Sequence, residues 1–245
     1  MIKPAQIVFG TMRMHEIERS SDEWADFLME IHACGVRALH SSDEYDSFPL
    51  LCDVLTRLRE RRPDIGFRHV VKLAEPSFDD TRFDAERLAA KLERYKAALG
   101  SATIHDVQWM WRKDLKAEAQ RLADLHAAAP DIIASTAQLK RSGAIERFFC
   151  FPYSTAFADE AMKLGCFDGL VVYRNTNERE YDYLLEPCLA AGGKFLVIRP
   201  FAAGQALGAG LPTPREQLGA ALDHAAIESA ILSTSSLRHL DDLLG

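Results

Sequence analysis

The chain has 245 residues, 48% of them hydrophobic, and a net charge of −7 at neutral pH, which suits one α/β barrel of roughly 250 residues and argues against a general nucleic-acid binder. No apolar run reaches the ~18 residues of a membrane span, and Met1-Ile2-Lys3-Pro4-Ala5-Gln6 lacks the apolar core of a signal peptide. The five cysteines (Cys34, Cys52, Cys150, Cys166, Cys188) are scattered and never spaced C-x-x-C, which points to a reducing cytoplasm with no disulfide framework and no zinc cluster.

Gln6 to Gly10 reads as a compact apolar strand. Ser21 offers an N-cap to a helix over Asp22 to Ile31, and Gly35 stops it. Arg37 to His40 is a second strand, followed by a helix from Phe48 to Arg61 that Pro63 closes. Phe67 to Lys72 is strand three, and Phe83 to Leu99 an amphipathic helix ended by Gly100. Asp106 to Trp111 reads as strand four. Pro130 then separates two helical runs, Lys116 to Ala128 and Ile132 to Ser142. Ala144 to Phe151 is strand five, Thr155 to Leu164 a helix, and Asp168 to Tyr173 strand six. A helix over Glu178 to Ala191 leads to strand seven, Lys194 to Arg199. Pro214 to His224 is a late helix, Ser229 to Ser233 strand eight, and Leu237 to Leu244 a short last helix. Strands alternating with helices to this count predict a single-domain (β/α)8 TIM barrel over residues 1–245. A doubly wound sheet is the alternative, but its glycine-rich fingerprint is missing after the first strand.

Barrel strand ends place Arg13, Lys72, Arg112, Lys113, Arg174 and Arg199 around the C-terminal mouth. A cationic mouth on an acidic chain predicts a small anionic ligand held by guanidinium forks. For Arg13 and Lys113, pairing with neighbouring acidic residues is the simpler expectation. Arg112 and Arg174 are candidate substrate-binding residues, with Trp109, Trp111, Phe151 and Tyr173 as apolar walls. Trp109 and Trp111 share one face of their strand and Met110 takes the other. The remaining histidines show no metal-ligand spacing, so no metal is expected.

The stretch Gly35-Val36-Arg37-Ala38-Leu39-His40-Ser41-Ser42-Asp43-Glu44-Tyr45 resembles the signature of the aldo-keto reductases, in which a strand-end Asp precedes the catalytic Tyr. Further segments are similar to that family in the same order. They are Gly10-Thr11-Met12, Val70-Val71-Lys72, Leu139 to Glu146, Asn175 to Glu180, Ile198 to Gly204 and Ile231 to Leu240. The resemblance implies the barrel and NADPH-dependent carbonyl reduction. Tyr45 would be the general acid and Lys72 the lysine that lowers its pKa. His40 stands in the aspartate's place and Trp111 in the histidine's. Without that carboxylate, Lys72 would sit beside His40, and the two charges would disfavour each other.

The same resemblance assigns Arg199, Pro200 and Gly204 to a phosphate segment, and Ser233, Thr234, Ser235 and Arg238 to the cofactor tail. The Thr234-Ser235-Ser236 run reads equally well as a simple N-cap. Phe151-Pro152 and Val171 fall where the family binds the nicotinamide carboxamide, and none offers a side-chain hydrogen bond. Arg174 takes the position of the stacking tyrosine. The chain reaches no further than the eighth helix, which the resemblance turns into an open site, or one completed by a partner subunit or a second copy. Three functions are compatible with these residues: an NADPH-dependent reductase of a small anionic carbonyl compound, a non-redox isomerase or lyase using Tyr45, Lys72 and His40, or a catalytically silent binding subunit.

Overall fold

Parallel strands covered on both faces need near-continuous apolar sequence, and the runs read as strands supply it. The computed structural model describes residues 1–205, 207–208 and 211–245. Its strands are β1 (Ile7–Gly10), β2 (Ala38–Ser41), β3 (Arg68–Ala74), β4 (Ile104–Met110), β5 (Ile145–Phe151), β6 (Gly169–Tyr173), β7 (Lys194–Ile198) and β8 (Ile227–Leu232). They pair in sequence order, all parallel, and β1 closes on β8 through Phe9 and Leu232. The chain is therefore a closed (β/α)8 barrel, as its alternating pattern predicts. No helix among the described residues is long and apolar enough to cross a membrane.

The helices are α1 (Ser21–Ala33), α2 (Phe48–Arg61), α3 (Ala85–Leu99), α4 (Glu118–Arg141), α5 (Thr155–Lys163), α6 (Leu185–Ala190), α7 (Pro214–Ala221) and α8 (Leu237–Leu244). Several bounds shift by one to three residues from those that the sequence predicts, α7 ending at Ala221 rather than His224, and three differences have a physical reason. The cap of α1 is Ser20, not Ser21: Ser20 Oγ accepts from Glu23 N at 3.2 Å while the Glu23 carboxylate accepts from Ser20 N at 2.7 Å, a reciprocal capping box. The two runs expected on either side of Pro130 are one helix, α4. Pro130 and His126, whose carbonyl the missing N–H would have met, are both exposed, so the lost bond falls on the solvent side of the helix. The buried stripe Leu125, Ile132, Thr136, Leu139 continues across the proline at helical spacing. The helix predicted over Glu178 to Ala191 contracts to a 3-10 turn at Asp182–Leu184 and the six residues of α6. Asn175 Oδ1 takes the amides of Asn177 and Glu178 at 2.9 and 3.1 Å, a local alternative to helix.

Two apolar shells result. The outer one, between strands and helices, gathers Leu39, Val71, Trp109, Trp111, Phe148 and Phe195 with the buried faces of the helices. The inner one fills the barrel with Val8, Val70, Met110, Phe149, Phe151, Val171, Leu196 and Ile231. At the strand starts Arg147 closes the barrel floor, gripping Asp106 at 2.7 and 2.9 Å and Glu228 at 2.6 and 2.8 Å. Gly169 opens β6 at φ 144°, and a Cβ there would lie 1.7 Å from the Lys194 carbonyl oxygen. Only glycine lets β6 approach β7 so closely. With floor and centre filled, the polar groups that remain collect at the mouth.

Candidate active site at the barrel mouth

The loop after β2 is tied down before it delivers its side chains. The Tyr45 amide donates to Ser42 O at 3.1 Å and the Phe48 amide to Tyr45 O at 2.8 Å, a pair of tight turns. From α3, the Tyr95 hydroxyl accepts from Asp43 N at 2.7 Å and shares its proton between the Asp43 carboxylate and, at 3.0 Å, Lys72 O. The loop is thus fastened to β3, and Tyr45 and Lys72 come together. The Lys72 ammonium lies 4.8 Å from the centre of the Tyr45 ring, over its face.

The sequence leaves Lys72 without a carboxylate, and the structure corrects this. Glu44, the residue before Tyr45, gives Oε2 to Lys72 Nζ at 3.0 Å and Oε1 to Arg112 Nη1. Burial works against a charged Glu44, but Arg112 and Lys72 outweigh it and hold the carboxyl below the usual range. Burial pushes the Tyr45 phenol well above its ordinary value, and the Glu44 charge adds to this while Arg112 opposes it. Lys72 thus meets the Tyr45 ring face and the Glu44 carboxylate, and the phenol is held protonated at neutral pH.

His40 lies on the inner face of β2, 5% exposed. Its Nε2 donates to Gln108 Oε1 at 2.9 Å, and its ring centre is 6.1 Å from that of Tyr45. Burial, reinforced by the Lys72 charge, pulls its pKa down to about 4, with the Gln108 bond opposing. His40 is therefore neutral and bonded to Gln108 rather than to Tyr45. Arg112 continues the inward set of Gln108 and Met110 at period two, and donates Nε to Tyr153 Oη at 3.1 Å. Tyr153 holds φ 63°, a left-handed backbone costing about 1–3 kcal/mol for such a residue. That twist sets its ring 4.6 Å from Phe151, which in turn lies 5.3 Å from Tyr173. Arg199, exposed, stacks its guanidinium 4.2 Å from the Tyr173 centre.

Other expected members lie elsewhere. Trp109 and Trp111 do share a face, but it is the outer one: both are buried among Phe148, Phe157 and Phe167, and Trp109 Nε1 donates to Glu75 O at 2.7 Å. Neither indole faces the mouth, because the inward set of β4 is Gln108 and Met110. Arg174 is committed to structure. It meets Asp182 at 2.7 and 3.1 Å, Asp223 at 2.8 Å and the Ala220 and Ala221 carbonyls at 2.8 Å, tying the end of β6 to α7. Arg13 pairs with Glu16, and Lys113 with Asp114 and Asp124, as the simpler expectation has it. Glu44, Gln108, Tyr153 and Tyr95 are members that sequence reasoning misses. The inward alternation Gln108-Met110-Arg112 is a signal present in the chain.

A concavity of about 480 Å³ opens beside the ends of β1 and β8. Trp24, Phe201 and Leu232 form its apolar side, and Ser233, Thr234, Ser235, His239 and Asp242 the side toward α8. Ser233 Oγ donates to Gly10 O at 2.6 Å, and Thr234 Oγ1 accepts from Ser236 N at 3.2 Å. α8 has no side-chain cap, so its first N–H groups are free for an anion. Arg238 is exposed on α8 and does not line this space, nor do Pro200 and Gly204. The segment from Arg199 to Phe201 joins the two regions, with Arg199 over Tyr173 and Phe201 in the cavity wall.

No family model matches this sequence, and no curated protein is similar to it. Solved structures are similar to it in fold. A protein of Pseudomonas aeruginosa assigned to the aldo-keto reductases superposes with a TM-score of 0.73 at 21% identity, covering 97% of this chain and 87% of the other. The holo form of an aldo-keto reductase from Bacillus halodurans gives 0.72 at 14% identity, over 98% and 85%. An aldo/keto reductase from Klebsiella pneumoniae, in complex with NADP and acetate, gives 0.68 at 15%, over 97% and 84%. At these identities the likeness is one of fold: the chain shares the (β/α)8 barrel of these proteins.

Proposed function

We propose that the chain is an aldo-keto-reductase-like oxidoreductase that reduces the carbonyl of a small anionic compound with NADPH. The observation that carries this reading is the Tyr45–Lys72–Glu44 cluster at the C-terminal mouth of such a barrel, where barrel chemistry collects. The Klebsiella structure that shares the fold holds NADP, and here the polar lining of the cavity by α8 suits the tail of that group. The cavity by α8 offers an apolar wall to a nucleotide tail, with the hydroxyls of Ser233, Thr234 and Ser235 around it. The rings of Phe151 and Tyr173 offer stacking faces toward the reacting end. The cofactor supplies hydride when bound. Tyr45 gives its proton to the carbonyl oxygen, and its hydroxyl has no hydrogen-bond partner among the described residues. Lys72 and Arg112 place positive charge where the oxygen becomes negative. In the ligand-free site Glu44 pairs with Lys72, and neutral His40 shapes the wall beside Tyr45. The five cysteines are unpaired, which suits a reducing cytoplasm.

A second reading keeps the same acid–base groups without redox chemistry, as an isomerase or lyase. Phe151, Pro152 and Val171 favour it: all are buried, and none has a side-chain donor or acceptor for a carboxamide. Titration of NADPH fluorescence separates the two. Micromolar binding is expected, together with a fall of about 10²–10⁴ in kcat for Tyr45→Phe. No binding at millimolar cofactor would leave only the second reading.

A further inference from the structure

Lys72 on β3 and Arg112 beyond β4 converge on one carboxylate, each taking one oxygen of Glu44. Neither has another carboxylate partner among the described residues. The two cations are largely buried, their side chains 16% and 10% exposed, whereas Glu44 is 39% exposed on a loop. The fixed half of this ion cluster thus belongs to the barrel, and the movable half to the surface. Its charges do not balance: two cations face one anion, and His40 is neutral.

Arg112 is also pre-set. Tyr153 holds its Nε at 3.1 Å, and the ring of Phe78 lies 5.3 Å from its Cζ. Its Nη2 finds only the Met110 sulfur, at 3.8 Å, a weak acceptor. A strong donor therefore stands ready for an oxygen that the chain does not supply. Arg174, the other buried arginine expected to bind substrate, has its donors taken by carboxylates and carbonyls.

We propose that Glu44 is a built-in stand-in for a ligand carboxylate, and that the mouth takes short 2-oxo carboxylic acids whose own carboxylate displaces Glu44 from Lys72 and Arg112. This rests on the mouth being the reaction site. A carboxylate seated there adjoins Tyr45, whose ring lies 4.8 Å from Lys72 Nζ, and the carbonyl one bond away is the group the phenol would protonate. Phe78, 60% exposed, with Phe151 and Tyr153, receives the apolar body. Displacement needs only rotation of the Glu44 side chain, since Tyr95 holds the backbone of the loop. It also makes the empty site self-inhibited, because an entering acid competes with a tethered one.

Calorimetric titration without cofactor tests this, using pyruvate, phenylpyruvate and their amides as probes. The acids are expected to bind and the amides not. Glu44→Gln, which removes the competing charge at an exposed position, is expected to tighten the acids by roughly tenfold. Arg112→Met is expected to abolish acid binding in both backgrounds, and Arg112→Lys to retain part of it. Equal binding of acids and amides, weaker acid binding by Glu44→Gln, or no binding of any acid by Glu44→Gln overturns the proposal. Because nicotinamide takes no part in the titration, a failure of redox activity leaves its result standing. A failure here equally leaves NADPH binding unaffected.

Discussion

At the scale of single residues, Tyr95 has the widest reach for one hydroxyl. It is the hinge between Asp43, whose amide and carboxylate it meets, and the Lys72 carbonyl, so the spacing of Tyr45 from Lys72 passes through it. Tyr95→Phe keeps the ring against Phe48 and removes only the bonds. Loss of stability is expected to be about 1–2 kcal/mol, with faster hydrogen exchange at the amides of 43–45 while those of α3 keep their protection. Unchanged exchange at 43–45 would show that the turns alone hold the loop. None of this is legible in the chain, because Tyr95 looks like one more apolar position of an amphipathic helix. Tyr45 and Lys72 are legible, being local to the ends of strands. Glu44 is not, because a loop acid next to a tyrosine reads as solvated. Only the fold shows that two cations from neighbouring strands converge on it.

At the scale of elements, alternation settles which residues share a face but not which face looks inward. In a barrel both faces of a strand are buried, so Trp109-Met110-Trp111 carries no polarity to decide the matter. The indoles point outward because the space under α4 and α5 accepts large rings, while the interior takes Met110 and Phe149. The proline in α4 misleads for a related reason. Its cost depends on where the freed carbonyl points, and the chain alone does not say that this one faces water. The helix still lacks one hydrogen bond at Pro130, and this gives a test. Pro130→Ala is expected to raise stability by roughly 1–3 kcal/mol, read as a higher urea midpoint with an unchanged slope. A decrease would mean that the ring braces α4 against a neighbour.

For the whole molecule, the two apolar shells each hold a histidine that the fold keeps neutral. His40 sits inside the barrel wall and His69 on β3 beside His105, each 5% exposed. Burial holds both near 4, against an ordinary value of 6.5. Between those values the unfolded chain binds protons that the folded chain refuses. Stability therefore rises with pH across the window, is complete above about pH 6.5, and is lost as pH falls toward 4. Each site contributes on the order of 3 kcal/mol over the full window, a large share of the about 5–15 kcal/mol typical of a domain. Urea unfolding from about pH 7.5 to about pH 5.5 isolates the effect, since carboxylates titrate mostly below it. His40→Gln should remove about 1.4 kcal/mol of the stability change across that whole range, an average of about half a proton's slope, and His69→Gln a similar amount. A flat wild-type profile over that range would mean that water reaches both imidazoles, and that the inner shell is open at the mouth where His40 and Tyr45 meet.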